Sequence, residues 1–245
     1  MKKICTLFCF LLLSSISYAQ YNDGVGWVSK FGLAGGFTPM WMFTNVEAVN
    51  EMIPGFGVDR LSTGGMLALG GGGYAYIMLV DNVRVGGMGF SGSMNSSGTV
   101  DGIRKEVDYS LGGGALSVEY TLPSIKTVAI SFGVLLGGGT LELKLYKNSG
   151  SFNWGDIWSE ISDSESSSEN ISRKMKNSFY LVSPTVNVDY PINRFIALRL
   201  GAGYQFTFGS DWEIENEQAL TGVPSDLNGN TFFIQTGIFL GFFAF

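Results

Sequence analysis

The chain of 245 residues carries 21 acidic against 15 basic residues, a net charge of −6, with no histidine, two cysteines and 35 glycines. The acidic balance excludes a nucleic-acid partner, which requires a basic footprint. Without histidine the usual general base and a common metal ligand are gone, so neither an enzyme nor a metal or cofactor site is expected. The glycines lack the three-residue period of collagen. They sit instead inside strand-like runs, as at 70–73, 112–114 and 137–139.

In chain order, the first element is a secretory start. Lys2 and Lys3 form a positive end, Ile4 to Leu13 a short apolar run, and Ser17-Tyr18-Ala19 a small-x-small cleavage site. Ten apolar residues are too few for a helix to span ~30 Å of hydrocarbon. Cys5 and Cys9 lie within the apolar run rather than after it, so a lipid-modified cysteine is not expected. The reading is a signal peptide over 1–19 and one mature domain over 20–245. Its removal takes both cysteines and two lysines, moving the net charge from −6 to −8. Strand pairing rather than disulfides must then hold the fold.

Eight strand candidates follow, at 27–38, 64–79, 83–94, 106–121, 127–145, 178–190, 195–209 and 231–245. Their connections alternate long and short. The long ones are 39–63, 95–105, 146–177 and 210–230; the short ones are 80–82, 122–126 and 191–194. This rhythm is that of an antiparallel up-and-down transmembrane β-barrel with long extracellular loops and short periplasmic turns. The faces agree. Val182, Pro184, Val186, Val188 and Tyr190 alternate with Ser183, Thr185, Asn187 and Asp189, and Ile196, Leu198, Leu200 and Ala202 with Ala197, Arg199 and Gly201. An apolar face toward lipid and a small or polar face toward a lumen require this pattern. Tyr120, Tyr190, Trp27 and Phe195 fall at one rim, and Tyr204, Phe206 and Phe208 at the other, as aromatic girdles do.

The chain closes on TFFIQTGIFLGFFAF, uncharged and ending on an aromatic residue. With the secretory start and the glycine-rich strands, this resembles the small, eight-stranded outer-membrane barrel proteins of Gram-negative bacteria. Gly241, Phe243 and Phe245 are similar to the terminal signal read by barrel-assembly machinery. The resemblance implies an outer-membrane location, with the lipid bilayer, lipopolysaccharide and that machinery as partners. It implies no particular activity.

Three constellations stand out. Lys30, Arg84, Glu119, Asp189 and Arg199 fall near the periplasmic strand ends. They are read as a lumenal ion-pair network that seals the barrel, or as separately wetted charges. In the first long loop, Met40, Trp41, Met42 and Phe43 lead to a short helix capped by Asn45, with Val46, Val49, Met52 and Ile53 on one side. So apolar a loop is expected to plug the mouth, to line a pocket for a small hydrophobic ligand, or to lie on the membrane. The third long loop carries Trp154, Ile157 and Trp158, an acidic serine-rich run over 163–169, then Arg173, Lys174 and Lys176; it is read as solvated. The glycine runs lack the helix and Lys-Ser/Thr of a phosphate loop. The leading functional reading is a non-enzymatic structural or surface-interaction protein with a largely blocked lumen. The alternatives are uptake of small hydrophobic molecules through a pocket under the first loop and, more weakly, a narrow porin-like channel.

Overall fold

The computed structural model describes residues 31–77, 80–123, 128–149 and 170–244, together with 154, 155 and 158. The secretory segment, Trp27, Lys30 and Phe245 lie outside the described residues. The elements are β1 (Phe31–Phe37), β2 (Met40–Thr44), α1 (Glu47–Phe56), β3 (Met66–Tyr76), β4 (Val83–Val100), β5 (Ile103–Thr121), β6 (Ala129–Asn148), β7 (Ile171–Pro191), β8 (Ile196–Ile214), β9 (Gln218–Ala219) and β10 (Thr231–Ala244). β3 to β8 pair in succession, β10 pairs with β8, and β1 and β2 pair with both β10 and β3. The antiparallel ladder therefore closes on itself. Within this ring no strand edge is left unpaired, a condition for backbone in lipid.

β1 and β2 are one stave. Phe37 lies opposite Ile238 and Gly71, and Met40 opposite Gln235 and Ala68, so the register is unchanged across Thr38-Pro39. Pro39 has no N–H to give, but its carbonyl accepts from Thr236 N at 3.0 Å, while Thr38 N donates to Gly70 O at 2.8 Å. The expectation of a loop starting at 39 is corrected here. Proline removes one donor without removing the strand, and the loop begins only after Thr44.

Outward side chains of the lower barrel are apolar and exposed, among them Leu33, Phe37, Leu67, Leu116, Val118, Phe132, Leu136, Leu200 and Leu240. Tyr120, Tyr190 and Phe195 border this belt at the end with short turns. Tyr180, Tyr204, Phe206 and Phe208 border it at the other. A belt of this kind is favourable only against lipid. The molecule is a membrane-spanning β-barrel of eight staves, of the outer-membrane type.

The staves are unequal. β4 to β8 run 18 to 21 residues, whereas about 9–11 tilted residues cross a bilayer. The surplus rises beyond the belt as a tall wall on one side. There the polarity inverts. Asn95, Asp108, Glu142, Lys144, Lys174 and Lys176 share the outer face, and Val107, Tyr109, Leu111, Leu141 and Leu143 are buried inside. Three expected loops are thus partly wall, the last of them at 211–214, which pair with 175–178. β4 and β5 continue to a tight turn at Asp101-Gly102, both with positive φ (53° and 78°), the backbone a two-residue hairpin requires. Residues 171–177 likewise pair with 141–147.

Candidate functional site

A cluster of buried charges lies at the periplasmic end of the lumen. Alternation turns Arg84 of β4, Glu119 of β5, Asp189 of β7 and Arg199 of β8 inward, and all four are buried. Arg199 Nε donates to Asp189 Oδ1 at 2.7 Å and its Nη2 to Oδ2 at 3.0 Å, a bidentate pair. Its Nη1 reaches Glu119 Oε1 at 3.1 Å. Arg84 bridges the same carboxylates, Nε to Glu119 Oε2 and Nη1 to Asp189 Oδ2, both at 2.5 Å. Its Nη2 donates to Ser131 Oγ at 2.6 Å. Two cations and two anions balance, as burial demands. Both guanidinium groups also stack on Tyr74, at 4.5 and 4.9 Å, and Arg199 on Phe239 at 4.8 Å. Asn187 and Gln235 complete the layer, the Gln235 Nε2 donating to Asn187 Oδ1 at 2.7 Å. Gly201 makes room for them, since a Cβ there would overlap the Asn187 amide oxygen.

Above this layer the lumen is filled mainly by apolar side chains, with buried polar groups such as Asn177, Ser183 and Gln205 among them. Met40, Met42, Phe90, Leu135, Phe179, Leu181 and Phe233 belong to one buried cluster that continues into the wall and α1. Next to the ionic layer a cavity of about 20 Å³ is bounded by Thr38, Tyr74, Glu119, Arg199, Gln235 and Phe239. It has room for about one water molecule.

The extracellular end is a roofed cup. Asn45 Oδ1 accepts from Glu47 N at 3.0 Å in the turn before α1, but the capping position itself is Val46, without a side-chain cap bond, which corrects the expectation of an Asn45 cap. Gly57, at φ 84°, closes the helix by donating to Ile53 O at 3.1 Å. Val49, Asn50 and Ile53 form its buried face. The Asn50 amide accepts from Leu61 N at 2.8 Å and donates to Leu61 O at 3.0 Å, tying α1 to the returning chain. Between α1, the wall and residues 220–227 lies a cavity of about 350 Å³. Val49, Ile53 and Phe56 line it from α1, Val107, Leu143, Leu145 and Met175 from the wall, and Val223 and Leu227 from the loop. No lining residue is charged. Its size and lining suit a small apolar molecule. Outside the cup and above the belt, Glu142 lies 2.7 Å from Lys174 Nζ and 3.3 Å from Lys144 Nζ. Partial burial alone would raise its carboxyl, but the two ammonium groups hold it below the usual carboxylate range.

The residues singled out from sequence fall as follows. Arg84, Glu119, Asp189 and Arg199 meet within ion-pair distance; Lys30 lies outside the described residues. Met40 and Met42 are buried in the lumenal cluster, below the cup. Trp41 and Phe43, on the opposite face of the same stave, point outward and are 44% and 41% exposed. Met52 and Ile53 line the cavity, with Met52 largely exposed at its mouth. Gly241 and Phe243 pair with Ala34 and Gly32 where β10 meets β1. The wall residues Val107, Leu143, Leu145 and Met175 are not among the sequence candidates. Their signal is in the chain all the same: Leu141, Leu143 and Leu145 alternate with Glu142 and Lys144, a face that cannot lie against lipid.

No family model matches the sequence, and no curated protein matches it. Among solved structures the chain is similar to the attachment invasion locus protein Ail of Yersinia pestis, crystallised with the heparin analogue sucrose octasulfate. The identity is 10%, over 86% of this chain and 96% of Ail, with a TM-score of 0.39. It is also similar to a major outer membrane protein of Thermus thermophilus (8% identity, 86% and 99% covered, TM-score 0.45). A third is the outer membrane protein OprG of Pseudomonas aeruginosa (11%, 87% and 93%, TM-score 0.35). These likenesses concern the type of fold. The barrel itself rests on the chain's own closed ladder.

Proposed function

We propose that this is a non-enzymatic outer-membrane barrel that keeps its lumen closed and binds a small apolar molecule in a cup on the extracellular side. The observation that carries the reading is the uncharged cavity of about 350 Å³ between α1, the wall and residues 220–227. A protein that needed only a stable barrel has no use for a wall whose apolar inner face stands above the membrane beside a cavity. The buried ionic layer and the apolar cluster above it favour binding over conduction, so the channel reading is not adopted. In this account residues 1–19 are removed on export and 20–245 form the barrel. Its C-terminal strand serves as the assembly signal, and Lys144, Lys174 and Lys176, outward above Tyr180, meet lipopolysaccharide phosphates.

The test uses the full-length protein in lipid nanodiscs and the neutral fluorophore N-phenyl-1-naphthylamine. Ala48 lines the cavity, and Ala48→Trp fills it. Saturable probe binding by the wild type, lost in Ala48→Trp, is expected. Identical titrations of the two would refute the cup as a ligand site and leave a purely structural role. Ion-conducting steps from the wild type in planar bilayers would contradict the closed lumen.

A further inference from the structure

Two lysines of the wall share the strand face that borders the cup. Lys105 of β5 and Lys147 of β6 are cross-strand partners, directly opposite each other in the register. Strand alternation puts Lys105 on the face of Val107 and Lys147 on the face of Leu143 and Leu145, the face that lines the cavity. The Lys105 ammonium lies 5.4 Å from the ring centre of Phe56, itself a lining residue. Both lysines are half-buried. Among the described residues neither has an ion-pair partner. Arg173, on the same face of β7, is already committed to Glu215 at 3.1 Å.

Like charges directly opposite across a ladder repel and destabilise it. The C-terminal end of α1 gives Lys105 a local reason to be there, because a helix C-terminus favours a cation. It gives none for Lys147. Two lysines side by side on the face that borders an apolar cavity, one of them next to the lining ring of Phe56, become favourable when an anion sits between them.

We propose that the ligand is a carboxylate-headed amphiphile with one aliphatic chain: the chain fills the cavity and the carboxylate lies between Lys105 and Lys147. The inference rests on the cup being a ligand site. The cavity's volume suits a single chain rather than the paired chains of a membrane lipid, which distinguishes a free acid from a lipid headgroup. Charge complementarity also sets the order of events. The lysine pair attracts the anion from solution, and the apolar lining then retains the chain.

The experiment measures equilibrium dialysis of radiolabelled decanoate and of decanol, at a pH where the acid is ionised, against the full-length protein in phosphatidylcholine nanodiscs. Empty nanodiscs supply the background. Lys105→Gln and Lys147→Gln are each expected to weaken decanoate by about tenfold, the loss of one charged hydrogen bond, and to leave decanol unchanged. Lys105→Arg and Lys147→Arg should retain decanoate affinity. Mobility of boiled and unboiled samples checks that each variant is folded. Decanoate binding that ignores both Gln substitutions overturns the carboxylate assignment while decanol binding keeps the cup. Equal weakening of both compounds overturns it too, as a structural effect. Failure of both compounds to bind the wild type removes the cup itself, whereas binding of decanol alone overturns the carboxylate assignment and keeps the cup. Preferential loss of phosphatidylglycerol over decanoate in the Gln variants, measured in mixed nanodiscs, would assign the lysines to lipid headgroups and overturn the free-acid reading.

Discussion

Arg199→Ala removes one of two cations from a buried, balanced quartet. Arg84 is then left to neutralise both Glu119 and Asp189, and Asp189 loses its bidentate partner at 2.7 and 3.0 Å. One buried negative charge remains uncompensated. Breaking a buried pair in this way costs roughly 3–5 kcal/mol, and the lost stacking on Tyr74 and Phe239 adds to it. Water reaching the vacated space from the periplasmic side offsets part of this, so about 3 kcal/mol is the expected net effect. For a chain of this size that corresponds to roughly 6–12 °C in the unfolding midpoint. The assay is the temperature at which the compact band on an SDS gel is lost. Arg194→Ala, at an exposed position in the β7–β8 turn, is the control and should shift by under ~0.5 kcal/mol. Asp189→Ala/Arg199→Ala leaves the neutral Arg84–Glu119 pair and should cost less than the sum of its single changes by about 1–3 kcal/mol. An Arg199→Ala shift no larger than the control, with an additive double variant, would refute the network.

A Cβ at Gly139 would lie 2.8 Å from the Phe179 ring and 2.5 Å from Gly112 O; Gly139→Val should therefore destabilise the barrel by about 1–3 kcal/mol, and Phe179→Leu should relieve only the ring contact, leaving part of the loss in the same gel assay. Asn50→Ala leaves the Leu61 N–H and C=O unpaired in a buried site, at a cost of about 1–3 kcal/mol, and limited proteolysis should then cut between 57 and 65 while the barrel stays intact. Glu142 has a folded carboxyl held below its ordinary range, so its contribution is present above the unfolded value and is lost as pH falls through the folded one. Glu142→Gln should lower stability by less than ~1 kcal/mol at neutral pH, and the difference from wild type should vanish in strong acid. An equal difference at both pH values would contradict the ion-pair origin.

The staves within the membrane were legible because lipid imposes one rule on every outward position. Leu33 and Phe37 against Ala34 and Thr38, or Leu198 and Leu200 against Arg199, announce both strand and face. The same parity placed Glu119, Asp189 and Arg199 inward, and topology put them at one end; their mutual distances depend on barrel curvature, which no single strand encodes. The stave through Pro39 was hidden because proline removes a donor, and the ladder needs that donor only from one side. The wall above the membrane was hidden by its inverted polarity. Polar residues such as Asn95 and Lys174 read as loop until they are seen as the solvent face of a strand whose other face is buried. Asp101-Gly102 was the available hairpin signal for β4 and β5. The cup itself joins α1, wall residues from three strands and a loop far downstream in the chain, a juxtaposition that periodicity does not carry.

The most direct test of the account is a crystal structure of the full-length protein grown with ω-bromodecanol, with the bromine located by its anomalous scattering. The account predicts a peak between α1 and the inner face of the wall, among Ile53, Leu143 and Met175. A peak confined to the lipid-facing belt, or one within the lumen below Met42, would contradict it.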